Sequence, residues 1–287
     1  MTLTVGLVGA GFMGAGIGWA LREGGAHVLT SVGGRSSRTR ALVTDRGLTA
    51  VDSLDEVVDV ADVLLSIVPP ASAPAAAGEV AGAVARTGRR PLFADLNAVA
   101  PPTVEAIAEV LADLDVVDGS ISGSPPDRSP GAIVYFSGPR AAEIAGLPWR
   151  DAIRPVVVSD RLGAASAIKM CTASVYKGLG ALMANALATA HTHDVVDIVV
   201  EDLRRMADPV DKVALSAAKA DRFVGEMLEI AATQREAGLS PALFEAVAEV
   251  WRTVATTELA GVAPEDVGRN GDAEAVVRRL RTGELAP

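Results

Sequence analysis

Leu7-Val8-Gly9-Ala10-Gly11-Phe12-Met13-Gly14 lies between a β-branched run and a helical stretch. Such a segment can hold a phosphate by backbone alone. Gly9 permits a tight turn, Gly11 lets a pyrophosphate come close, and Gly14 allows helix and sheet to pack closely. The first N–H groups of a helix opening there point at phosphate oxygens. A glycine pattern by itself is common, and a turn that only packs is the alternative. At residue 9, opening a β-α-β unit, it points to a dinucleotide cofactor.

The charge of that cofactor is read about 20 residues further on, at the end of the second strand. An acid there holds the ribose 2′-hydroxyl of NAD. The segment here is Ser31-Val32-Gly33-Gly34-Arg35-Ser36-Ser37-Arg38, with no acid between Glu23 and Asp45. Arg35 can lie over the adenine and reach a 2′-phosphate, Ser36 and Ser37 can donate to it, and Arg38 or Arg40 adds charge. Arginines at a helix start are unfavourable without an anion, although they can serve as a solvated face. NADP is therefore expected rather than NAD. Val68 and Pro69, at the end of another strand, are placed in the same cofactor set.

Proton chemistry is sought among the lysines. The chain favours Arg and has only four lysines: Lys169, Lys177, Lys212 and Lys219. Lys169 and Lys177 are eight residues apart on one expected helix, hence on one face. That helix is otherwise rich in Ala, Ser and Met, so a generic charged surface does not explain them. Lysine can give up a proton once burial lowers its pKa, whereas arginine cannot. A solvated-face reading stays open for both lysines.

Four motifs in order make the chain resemble the β-hydroxyacid dehydrogenase and 6-phosphogluconate dehydrogenase superfamily over most of its length. They are Gly9 to Gly14, with Met13 before the last glycine; Asp95-Leu96-Asn97-Ala98-Val99-Ala100-Pro101; Asp118-Gly119-Ser120-Ile121-Ser122-Gly123-Ser124, followed by Gly131-Ala132; and Gly163, Ser166 and Lys169. The resemblance implies a hydride-transferring oxidoreductase. In it Asn97 lies at the nicotinamide, Ser122, Gly123 and Ser124 hold a substrate anion, and Lys169 is the acid/base. It also implies a small-molecule substrate and a partner subunit that helps complete the site. The stretch from Lys169 to His191 is similar to a subgroup with an atypical helical C-terminal domain.

The chain departs from that pattern just after the lysine. Ala173 stands where the family has a substrate-holding Asn, with Thr172 before it as a candidate substrate contact. Tyr176 stands where the phosphogluconate enzymes have a catalytic Glu. Tyr176 is read as a proton donor, with Lys177 beside it in the catalytic set, or as a half-buried packing residue. An imine reductase using Tyr176, or a non-catalytic NADP-binding protein, are the competing readings. Cys171 is expected in the core.

The elements that must position these residues fall into two groups. Strands are expected at Thr4–Val8, His27–Val32, Val63–Val68, Leu92–Ala94, Val116–Ile121, Ala132–Phe136 and Pro155–Val158. Helices lie between the early ones, so a mostly parallel, doubly wound sheet follows. From Leu162 the pattern is helical, over 162–192, 195–206, 209–236, 241–257 and 271–282. Breaks fall at Asp208-Pro209, Gly238 to Pro241, and Ala263-Pro264. This makes a Rossmann-type α/β domain over 1–160 and an all-helical substrate and dimerisation domain over 161–287. The helical domain is too thin to cover itself, so a homodimer joined through it is expected.

Composition narrows the remaining classes. With 287 residues, 49% of them apolar, the chain can fill a core of this size and is not disordered. A net charge of −10 argues against nucleic acid as a partner. One Cys and three poorly spaced His leave no expected metal site or disulfide framework. Leu3 to Val8 has no basic lead-in of a signal peptide, and Ala71 to Ala85, broken by Pro74 and Glu79, is too short and polar to span a bilayer. The cytoplasm is the expected address.

Overall fold

Val and Leu fill strands that are covered on both faces, as parallel sheets require. The structure is a computed structural model describing residues 2–206, 208–263, 267 and 272–280. Its first part runs β1 (Thr4–Val8), α1 (Phe12–Glu23), β2 (His27–Ser31), α2 (Ser37–Asp45), β3 (Thr49–Val51), α3 (Leu54–Val60), β4 (Val63–Ser66), α4 (Ala73–Thr87) and β5 (Leu92–Asp95). It continues through α5 (Pro101–Val110), β6 (Val116–Ser122), β7 (Ala132–Ser137), α6 (Ala141–Ala145) and β8 (Ile153–Ser159).

These eight strands form one sheet in the order β3-β2-β1-β4-β5-β6-β7-β8. Pairing is parallel from β3 through β6. The β6–β7 pair alone is antiparallel, with Ser120 opposite Tyr135. Every residue of β4 and β5 is buried, which marks the middle of the sheet. The apolar core lies on both faces. One side gathers Leu7, Ile17, Leu65 and Phe136, and the other Leu64, Phe93, Val80 and Ile107.

Three elements escape the sequence pattern, one of them the five-residue α6. Strand β3 has three residues and sits at the sheet edge, two of them exposed, so it shows no alternation. Helix α3 carries a capping box: Ser53 accepts from the Glu56 N–H, while the Glu56 side chain accepts from the Ser53 N–H. That Ser-x-x-Glu signature was legible at 53–56.

The second part is helical: α7 (Ala164–Thr192), α8 (Val196–Leu203), α9 (Pro209–Ala217), α10 (Ala220–Glu236), α11 (Ala242–Ala255) and α12 (Ala273–Leu280). Asp208 caps α9 by accepting from the N–H groups of Val210 and Asp211, with Pro209 at the first position. The single helix expected over 209–236 is two, separated at Ala218 and Lys219, where no glycine or proline announces a turn. Pro264, and residues 271, 281 and 282 of the last expected helix, lie outside the described residues.

The compact units divide at Met170/Cys171, inside α7, rather than near residue 160. The first two turns of α7 therefore belong to the sheet unit. In the helical unit Trp251 is fully buried, edge-on to Phe223 with ring centroids 5.4 Å apart. Gly180 gives Trp251 room, since a Cβ there would lie 3.3 Å from its ring.

Candidate functional site

In the sheet unit, the carboxyl ends of β1, β4, β5 and β6 open on one edge. Strand order turns back between β1 and β4, the place where such sheets bind dinucleotides. Gly9 has φ +96°, and a Cβ there would come within 2.5 Å of the Ile67 carbonyl oxygen. At Gly14 an added Cβ would run into the Gly9 carbonyl, so its smallness serves the turn itself more than helix–sheet packing. Gly11 is different. Nothing lies within 4 Å of where its Cβ would be, and α1 starts there with no side-chain cap. Open space in front of uncapped N–H groups fits a bound pyrophosphate. Phe12 and Met13 pack back on the core, Val68 is half-buried and Pro69 is exposed.

At the end of β2, Arg35, Ser36, Ser37 and Arg38 are all exposed at the start of α2. Ser36 is the N-cap and accepts from the Thr39 N–H at 3.2 Å. The first turn of α2 carries no acid. An exposed, basic helix N-terminus suits the extra phosphate of NADP.

Asn97 is only 2% exposed, and its amide is committed inside the protein. Its Oδ1 accepts from the Val68 N–H at 2.6 Å. Its Nδ2 donates to the Asp95 carboxylate at 2.7 Å and to Ser66 Oγ at 3.0 Å. In this arrangement the side chain binds the end of β4 to the end of β5. It thereby fixes the backbone around Val68, a residue of the same expected cofactor set.

The strongest polar knot joins β6 to α7. Asp118 is fully buried; it accepts from Ser137 Oγ at 2.9 Å, the Ser166 N–H at 2.9 Å and Ser166 Oγ at 2.7 Å. Ser137 Oγ also accepts from the Ala165 N–H, and Ser120 Oγ donates to the Ala165 carbonyl at 2.8 Å. Burial pushes the Asp118 carboxyl up from its usual value, and these donors pull it back. An anion at a helix N-terminus is favoured besides.

One turn further along, half-buried Lys169 sends Nζ to the Ile121 carbonyl at 2.6 Å. That carbonyl immediately precedes Ser122, Gly123 and Ser124. Ser122 is half-buried and the next two are exposed. Gly123 takes φ +132°, and a Cβ there would come within 3.0 Å of Ala132. Structure thus brings together the lysine and the loop that the sequence named separately. The loop is anchored by a pair that sequence reading missed: Arg46 and Asp127 form a nearly dry ion pair at 2.6 Å. The Asp127 carboxylate occupies the space a side chain at Gly16 would need.

In the helical unit, Tyr176 is 64% exposed rather than half-buried, with the Lys212 ammonium 5.7 Å from its ring centre. Lys177 is mostly buried, ion-paired with Glu226 and 4.7 Å from the Phe223 ring centre. Its charge is thus held by a carboxylate, while Lys169 is held by a β6 carbonyl. Thr172 is exposed. Cys171 is exposed too, contrary to expectation, because Met170, Ala173 and Lys177 define the covered face of α7. Among the described residues no cluster of His, Cys, Asp or Glu is placed to hold a metal, and no helix is long and apolar enough to cross a membrane.

Residues 4–147, half of the chain, match the NAD binding domain of 6-phosphogluconate dehydrogenase. The chain belongs to that family. Residues 190–254 match a domain of unknown function, DUF1932. The protein is thus a member of the 6-phosphogluconate dehydrogenase-like superfamily with a helical C-terminal domain, and falls in the broad class of NAD(P)-dependent oxidoreductases. Among curated proteins no match is found.

Solved structures agree on the fold. A conserved protein of unknown function, described as structurally similar to 3-hydroxyacid dehydrogenases, is 27% identical with a TM-score of 0.64, covering 91% of this chain and all of its own. The 3-hydroxyisobutyrate dehydrogenase of Mycobacterium tuberculosis is 17% identical with a TM-score of 0.66, covering 98% of this chain and 100% of its own. An imine reductase of Streptomyces aurantiacus is 20% identical with a TM-score of 0.52, covering 92% and 98%.

The β6–α7 knot makes a stability prediction. Asp118→Ala strips three hydrogen bonds and leaves buried donors at the start of α7 unmet. We expect a loss of about 2–5 kcal/mol in urea unfolding. A loss under about 1 kcal/mol would show that α7 is held by packing alone.

Proposed function

We propose that this protein is an NADP-dependent oxidoreductase acting on a small hydroxy acid or related carbonyl compound, with Lys169 as its acid/base. The observation that carries the reading is the place of Lys169. Its ammonium lies 2.6 Å from the last carbonyl before the Ser122–Ser124 loop, on the sheet edge that bears the glycine turn. The family supplies the redox class.

Bound NADP supplies or accepts a hydride at the nicotinamide. The chain's own residues do the rest. Gly9, Gly11 and Gly14 let the backbone receive the pyrophosphate, and Arg35, Ser36, Ser37 and Arg38 hold the 2′-phosphate. Backbone and hydroxyl groups of Ser122, Gly123 and Ser124 orient a substrate carboxylate or similar anion. Lys169 gives a proton to the substrate oxygen on reduction and takes it from the hydroxyl on oxidation. A lysine already donating to a carbonyl can exchange that acceptor for a substrate oxygen without crossing the site.

The working unit is a homodimer formed through the helical unit. Val175, Leu182 and Ile198 are each more than 60% exposed there, apolar side chains that a partner's helices would cover. Light scattering is expected to give twice the chain mass of 29.3 kDa, and a monomer at micromolar concentration contradicts this.

Two further measurements test the chemistry. Calorimetric titration should show NADPH binding at least about tenfold tighter than NADH, and Arg35→Ala should remove most of that preference. Tighter binding of NADH would overturn the cofactor assignment. With a substrate found by screening oxo acids, semialdehydes and cyclic imines, Lys169→Met should lower kcat by about 10²–10⁴-fold with NADPH affinity nearly unchanged. A large loss in Tyr176→Phe and a small one in Lys169→Met would move the proton donor to Tyr176 and favour imine reduction.

A further inference from the structure

Three fully buried polar side chains meet at the carboxyl ends of the two middle strands: Ser66 closes β4, Asp95 closes β5, and Asn97 stands just beyond it. Each is 2% exposed or less. A polar cluster in the middle of a sheet weakens the core unless all of its members are bonded. We infer that Asn97 is a positioning residue of the nucleotide site, setting dinucleotide affinity through the Val68 N–H and the Gly9 turn without touching the ligand. This rests on the reading of the Gly9–Gly14 turn as the seat of a dinucleotide, and adds to it the residue that holds the wall of that turn.

The Asn97 amide is committed on both sides. Its Nδ2 hydrogens go to the Asp95 carboxylate at 2.7 Å and to Ser66 Oγ at 3.0 Å, so none remains to donate to a ligand. The Asn97 backbone N–H donates to Asp95 as well, at 3.0 Å, which fixes main chain and side chain by one carboxylate. With the amide held there, Oδ1 accepts from the Val68 N–H at 2.6 Å, beyond the last residue of β4. An apolar residue at 97 would leave both the Val68 donor and the Asp95 carboxylate unmet.

Val68 and its neighbour Ile67 form the wall against which the glycine turn is built. The Ile67 N–H donates to the Val8 carbonyl at 2.9 Å, immediately before Gly9. A Cβ at Gly9 would lie 2.5 Å from the Ile67 carbonyl oxygen and 2.7 Å from Val68 Cγ1, and one at Gly14 would lie 3.5 Å from Ile67 Cβ. Contacts this close pass any displacement of the wall to the turn. Beyond the turn is the open space at Gly11, where α1 starts with uncapped N–H groups. Such groups hold a pyrophosphate well only while their geometry is kept. The line of support therefore runs from Asp95 through Asn97 and Val68 to Gly9.

The test titrates the full chain calorimetrically with two pairs of ligands, NADPH with 2′-phospho-ADP-ribose and NADH with ADP-ribose. The second member of each pair keeps the pyrophosphate and lacks the nicotinamide. In the pair that the wild type binds more tightly, Asn97→Ala should weaken both members at least about tenfold. The swap Asp95→Asn with Asn97→Asp keeps an oxygen for the Val68 N–H and a donor between the two side chains. It should bring both affinities back to within about threefold of the wild type. Weakening of the intact dinucleotide alone would place Asn97 in contact with the nicotinamide end and overturn the proposal. A lower urea midpoint with both dissociation constants unchanged would make Asn97 a stability residue only, with the same consequence. A folded swap that binds no better than Asn97→Ala also overturns it. Should Asn97→Ala not fold, Asn97→Ser, which shortens the reach to Val68 and keeps a hydroxyl for Asp95, is read in the same way. A wild type that binds none of the four ligands overturns the dinucleotide reading itself, and the role of Asn97 with it.

Discussion

Asp118 is a fully buried carboxylate, and a buried charge survives only if its neighbours are arranged around it. Here they come from two elements that are distant in sequence, Ser137 at the end of β7 and Ser166 at the start of α7. The arrangement settles where a 29-residue helix begins and which of its faces meets β6. Ser120 also donates to the Ala165 carbonyl, so the first turn of the helix is tied to β6 by a hydroxyl as well as a carboxylate. The reach of Lys169 to the Ile121 carbonyl is a consequence of that anchorage.

The same principle recurs at the other strand ends. Asn97 spends its amide on Val68, Ser66 and Asp95, so the segment after β4 is held from beneath. Arg46 and Asp127 hold the loop that follows Ser124. Polar groups in this protein are thus divided between a buried set that fixes backbone and an exposed set, Arg35 to Arg38 and Gly123 to Ser124, left facing outward. Exposure of the second set depends on rigidity of the first.

Much of this was legible in the sequence, for physical reasons that can be named. The glycine turn, the β-branched strands and the Pro-marked helix starts are local signals, and each appears where its residues stand. The capping box at Ser53 and Glu56 is equally local. What could not be read was pairing across long separations. Nothing near Asn97 says that its amide faces Val68, and nothing near Arg46 points to Asp127, 81 residues away. Helical periodicity puts Lys169 and Lys177 on one face, but only packing shows that one meets a strand carbonyl and the other a carboxylate. Cys171 failed for a related reason: apolar character alone does not say which face of a long helix is covered.

Helix α2 has only nine residues, about 13 Å of rise. Its first turn presents Ser37 and Arg38 outward. The residue just past its last turn is Arg46, locked to Asp127 in the loop beyond Ser124. A rod that short does not bend, so its two ends move as one. A change at residues 35–38 acts on a lever whose far end grips the neighbouring loop. Gly16 tightens the coupling, because its missing side chain leaves the Asp127 carboxylate its only seat. The conformations of residues 35–38 and of the loop beyond Ser124 are therefore coupled, and an engineer who alters one has to retune the other.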